Sequence, residues 1–73
     1  MLKKRVVDYH IARLRDKRPD IRLQAIDQLV KLEAADALDA LQDVFQNDAD
    51  ESVRFAAQAA GREIFRLCRA NRR

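Results

Sequence analysis

The stretches RPDIR (residues 18–22) and DESVR (residues 50–54) repeat one phrase, acid, aliphatic, arginine, at an interval of 32 positions. A chain that writes the same local pattern twice at that spacing is constrained to build one helical unit twice. Shifted by 32, Ile21 falls on Val53, Arg22 on Arg54, Ala25 on Ala57 and Leu32 on Ile64. The segments before them superpose with a shift of 31, which puts Val7 on Leu38 and Leu14 on Phe45 and leaves one extra residue in the second loop. The expected fold is therefore all-α: four helices in two hairpins of one design, stacked side by side as a short α-solenoid.

Helical spacing of apolar residues places the elements. Val7, Ile11 and Leu14 mark a first helix over about 2–15, and Pro19 ends that run while suiting the first turn of the next. A second helix runs over about 19–33 with Ile21, Ala25, Leu29 and Leu32 on one face, and Asp16 or Asp20 is placed to accept its free N–H groups. Leu38, Leu41, Val44 and Phe45 mark a third over about 35–46. The polar break QNDADES offers Asp48 or Asp50 as a cap, with Glu51 at capping-box spacing from Asp48. The fourth runs over about 51–69 with Val53, Ala57, Ala60, Ile64 and Leu67 inward. One Gly, one Pro, one Ser and no Thr leave no material for strands and hairpin turns. The 73 residues are expected to form a single domain, with repeat one over about 2–33, repeat two over about 35–69 and a basic tail at 70–73.

DESVRFAAQAAGREI (50–64) closely resembles the second helix of a HEAT repeat, in particular the short bacterial kind also found in phycobilin-lyase-like proteins. RPDIRLQAIDQLVKL (18–32) resembles the same element, with Leu29 where the second copy has Gly61. The resemblance implies that Ile21 and Val53 plug the core at the start of the second helix of each repeat, with Ala25 and Ala57 behind them. It also implies that Arg22 and Arg54 reach sideways to acidic groups of a neighbouring loop or repeat. The other reading of the two arginines is a pair gripping a phosphate. The resemblance speaks to fold more than to function, because HEAT repeats serve as scaffolds, adaptors, lyase subunits and DNA-repair enzymes.

Charge is segregated. Residues 1–22 carry a net +5, residues 23–51 a net −7 and residues 52–73 a net +5, within a total of +3. Such blocks suit segments that fold onto one another, or copies that meet head to tail. A repeat array needs polar ends. In the second helix Leu23, Ile26 and Val30 form an extra apolar stripe, and their counterparts 32 positions on are Phe55, Gln58 and Arg62. Two of three have turned polar, so the second repeat reads as a C-terminal cap. Phe55 remains, sharing a face with Ala59, Arg62, Arg66 and Arg69. This face is either a solvated surface or a partner-binding one of the aromatic-and-arginine kind found at interfaces. On the first helix Leu2, Val6 and Tyr9 form a second row beside Val7, Ile11 and Leu14. That row is expected to stay partly exposed or to pack under Leu67 and Ala70.

The chemical inventory excludes most catalysis. Ser52 is the only serine, His10 the only histidine and Cys68 the only cysteine. A serine triad would need His10 beside Ser52, but the two lie on different repeats, and His10 aligns with core-facing Leu41 as a packing histidine. His10 and Cys68 fall short of the four ligands of a structural zinc site, so no metal is expected. Cys68 sits at the edge of the core stripe as a packing thiol. Asp36 and Asp39 form an acidic pair without a cleft, which reads as a solvated face. No glycine-rich loop exists for a phosphate, so no cofactor and no small-molecule substrate are expected. The lone cysteine suits a reducing cytoplasm, and no apolar run approaches a membrane span.

What remains is a non-catalytic interaction module, a scaffold or adaptor that docks another protein or weakly docks itself. The alternative is nucleic-acid or polyanion binding through KKR (3–5) and RLCRANRR (66–73). Against it stand the acidic middle and the scarcity of aromatic stacking platforms. A third, catalytic accessory role would contribute surface to a lyase-like assembly.

Overall fold

Pro19 opens a helix because it needs no N–H partner there, and the chain before it is turned by Asp16, whose Oδ1 accepts the Arg18 N–H at 2.9 Å. The second loop repeats the device. Asp48 Oδ1 accepts the Asp50 N–H at 2.9 Å, and Asp50 Oδ1 then accepts the Val53 N–H at 3.1 Å as the true helix cap. The cap is therefore Asp50 rather than a capping box built on Asp48 and Glu51. A computed structural model of the chain describes residues 2–70, with four helices: α1 (Leu2–Arg13), α2 (Pro19–Lys31), α3 (Leu38–Asn47) and α4 (Glu51–Ala70). The tail residues 71–73 and the side chain of Leu2, with the expectations placed on them, lie outside the described residues.

Two helix boundaries depart from the periodicity. A 3-10 turn over Ala35–Ala37 leads into α3, where a regular helix start is expected. The end of α2 is a Schellman turn: the Glu33 N–H reaches the Val30 carbonyl at 2.9 Å and the Ala34 N–H reaches the Leu29 carbonyl at 3.1 Å. Glu33 itself takes the left-handed conformation (φ 50°), where glycine is the usual occupant. Leu32 caps this helix and is only partly buried, whereas its counterpart Ile64 lies inside a longer helix and is fully buried.

The hairpins pack as a stack. α4 lies mostly on α3 and next on α2, and α2 lies on α1. Val7 and Leu14 of α1 and Ala25, Ile26 and Leu29 of α2 form one side of the core. Leu41 and Val44 of α3 and Val53, Ala57, Ala60 and Ile64 of α4 form the other. Alanines at 57 and 60 bring α4 close to its neighbours. Ile21, which the resemblance puts in the core, is only half-buried, whereas Ile26, on the extra stripe with Leu23 and Val30, is buried. Among the described residues there is no strand, and no helix is long and apolar enough to cross a membrane.

An arginine ladder and two open flanks

Arg22 and Arg54 perform the same local task. Each stands six residues after an aspartate and donates from Nη1 to that aspartate's backbone carbonyl at 2.8 Å, Arg22 to Asp16 and Arg54 to Asp48. The two then diverge. Arg22 continues across the joint between hairpins. Its Nη2 donates to Asp48 Oδ1 at 2.9 Å and its Nε lies 2.8 Å from Oδ2. The Nε–H points off that oxygen and makes no well-directed hydrogen bond, so the pairing rests on opposite charge and on the Nη2 bond. The pair is well covered, with the side chains 13% and 8% exposed. By contrast Lys4–Asp8, Arg18–Asp20, Asp27–Lys31 and Glu63–Arg66 are local and exposed, and contribute little.

The ladder has a free rung at each end. Among the described residues Arg54 meets no carboxylate beyond its bond to the Asp48 carbonyl. The Asp16 carboxylate accepts the Arg18 N–H and faces no cation.

The helices around these rungs are also unmatched. On the C-terminal flank a groove between α3 and α4 has Leu38, Leu41, Phe45, Ala57, Gly61 and Phe65 in its lining, together with the polar side chains of Asp39, Gln42, Gln58 and Arg62. Val7 and Leu14 are buried at the inner joint, while their counterparts Leu38 and Phe45 are only partly so. Leu29 is wholly buried, while its counterpart Gly61 opens onto space: a Cβ there would meet nothing within 4 Å. On the N-terminal flank Val6 (42% exposed) and Tyr9 (56% exposed) stand out, so they do not pack under Leu67 and Ala70. The Tyr9 hydroxyl accepts a 3.1 Å hydrogen bond from Arg13, whose guanidinium also lies over the ring.

The residues expected on the partner-binding face are spread over α4. Phe55 is 59% exposed, and Ala59, Arg62, Arg66 and Arg69 are exposed too. Phe55, Arg62 and Arg69 recur every seven residues in one row. Ala59 borders a shallow groove toward α2, with Leu23 and Ile26. Arg66 is held by a forked pair to Glu63 (2.7 and 3.1 Å), which keeps the Glu63 carboxyl below its usual range. Arg69 lies 5.7 Å from the centroid of Phe65. Phe65, 54% exposed, escapes the sequence reading. Its counterpart is Glu33, where α2 stops, so the overlay carries no information there; its spacing of four from both Gly61 and Arg69 was the available signal.

The remaining chemical groups stay apart. His10 is half-buried, with an edge-on contact to Tyr9 and no partner for Nδ1. Cys68 Sγ lies 3.8 Å from the Glu33 carbonyl oxygen, and Ser52 is exposed at the start of α4. No cluster of three or more His, Cys, Asp or Glu among the described residues is placed to hold a metal ion.

In comparison with known proteins, a family model described as HEAT repeats matches residues 2–61. No curated protein and no solved structure gives a significant match.

Proposed function

The chain belongs to the HEAT-repeat family, and we propose that it works as a small docking module, a scaffold or adaptor acting as one two-hairpin unit, without catalysis of its own. HEAT repeats generally mediate protein–protein interaction or scaffolding. The observation that carries the reading is the α4 surface, where Phe55 and Phe65 are both more than half exposed, Phe55 in a row with Arg62 and Arg69 and Phe65 on the edge of the groove with α3. Large aromatics held on a rigid helix lose little side-chain freedom on contact and are favoured anchors of interfaces.

Polyanion binding is the second reading, and the electrostatic surroundings weigh against it. Lys3 and Lys4 line one surface with Glu33 and Asp36, and Lys4 is paired with Asp8. Arg66 is paired with Glu63 and Arg69 is stacked on Phe65. A phosphate backbone would have to displace several of these contacts.

The test is affinity capture from the native cell extract, with the wild-type chain and its Phe55→Asp and Phe65→Asp variants as baits. A partner retained by wild type in high salt and lost with the variants supports docking through α4. Retention that vanishes steeply with salt, and survives both variants, supports the polyanion reading instead.

A further inference from the structure

We infer that one partner of this module is a second copy of itself, stacked head to tail so that Arg54 of one copy completes the ladder on Asp16 of the next. Within the chain, Arg22 is complete only because Asp48 of the following hairpin supplies a carboxylate. Arg54 repeats the arrangement of Arg22 on its own loop, and Asp16 repeats that of Asp48, including the bond to the N–H two residues on. One flank thus carries a donor without its carboxylate, and the opposite flank carries that carboxylate without its donor. The displacement that relates the first hairpin to the second, applied once more, brings the two together.

The flanks are matched in size as well as in charge. By the 31-residue shift, Val6 and Tyr9 occupy the positions that Ala37 and Ala40 hold at the inner joint. By the 32-residue shift, Gly61 takes the position of Leu29. Larger residues on the N-terminal flank therefore oppose a groove widened by a missing side chain. By the same correspondence Arg62 replaces Val30, which lines a groove with Ala59 at the inner joint, and so comes to lie beside Asp27 of the next copy, a carboxylate that within its own chain is paired at the surface with Lys31. Such an interface is heterologous: each copy keeps one free flank, and growth is not limited to two.

The inference rests on the docking reading above, and the experiment separates the two. Sedimentation from micromolar to millimolar concentration would be run on wild type, Asp16→Asn and Arg54→Met. Asp16→Asn keeps the oxygen that accepts the Arg18 N–H, so its fold is preserved. Arg54→Met gives up the bond to the Asp48 carbonyl, so Phe65→Asp serves as a second variant of that flank, and circular dichroism confirms helicity in each. The wild-type average mass is expected to rise beyond that of a dimer. Each variant is expected to lose roughly tenfold or more in association constant. Mixing Asp16→Asn with Arg54→Met, or with Phe65→Asp, restores one good joint per pair and yields 1:1 dimers that grow no further. A wild-type chain that stays monomeric throughout overturns the inference, as do a symmetric dimer indifferent to these variants and mixtures that fail to pair. If wild type is monomeric while captured proteins persist, the module docks something other than itself.

Discussion

Replacing Asp48 by asparagine isolates the charge at the inner joint. The asparagine oxygen can still accept the Asp50 N–H, so the turn into α4 survives. What changes is the environment of Arg22. Its side chain, 13% exposed, loses its counter-charge, and an amide NH2 faces the Nε that lay 2.8 Å from Oδ2. The bond to the Asp16 carbonyl remains. Breaking a buried ion pair by removing one partner costs about 3–5 kcal/mol. The retained bonds and residual exposure bring the expected cost of Asp48→Asn to about 2–3 kcal/mol. A domain of this length has a total stability of roughly 4–11 kcal/mol, so the variant still folds, with its melting midpoint lowered on the order of 10–20 °C. Asp16→Asn is the internal control: the same substitution, at the same position of the repeat, with no arginine to strand, expected within about 0.5 kcal/mol of wild type. Urea unfolding followed by far-UV circular dichroism at low protein concentration measures both. Equal losses at the two sites, or none at Asp48, would refute the account of the ladder. Arg22→Met combined with Asp48→Asn is expected to cost less than the sum of the single changes.

Three further outcomes follow from local geometry. Gly61→Ala is expected to stabilise by about 1 kcal/mol in thermal unfolding, because the helix gains propensity and the new methyl meets nothing. Ala60→Leu, at a position 4% exposed in the core, is expected to destabilise by about 1–3 kcal/mol in the same assay. Leu29→Ala, at a wholly buried position, is expected to destabilise by about 2–5 kcal/mol in urea unfolding.

The positions of the four helices could be read from periodicity because each buries a stripe at helical spacing, and Val53, Ala57, Ala60 and Ile64 are all inside. The sideways reach of Arg22 to an acid of the next loop was legible from its resemblance to a known repeat. The ending of α2 was not. Nothing in Leu-Glu-Ala announces a left-handed residue, and Glu33 adopts it because the backbone bonds of the turn outweigh the strain. The flanks were only half legible. Periodicity says which residues share a side, but whether that side is covered depends on which helix lies beside it. Phe65 therefore escaped notice, while Phe55, compared with Leu23 by the overlay, did not.

Asp48 is gripped from two directions at once: its carboxylate by Arg22 of the first hairpin, its carbonyl by Arg54 of the second. In a linear array each unit can in principle fray alone, and the strength of nearest-neighbour coupling decides whether unfolding is all-or-none. Here the loop cannot open without releasing both arginines together. The two hairpins should accordingly share one opening event, with amides of the central turns of α2 and α4 exchanging with solvent at a common free energy. Asp48→Asn should split that event in two, with the outer turns of α1 and α2 becoming exchangeable while α3 and α4 remain closed.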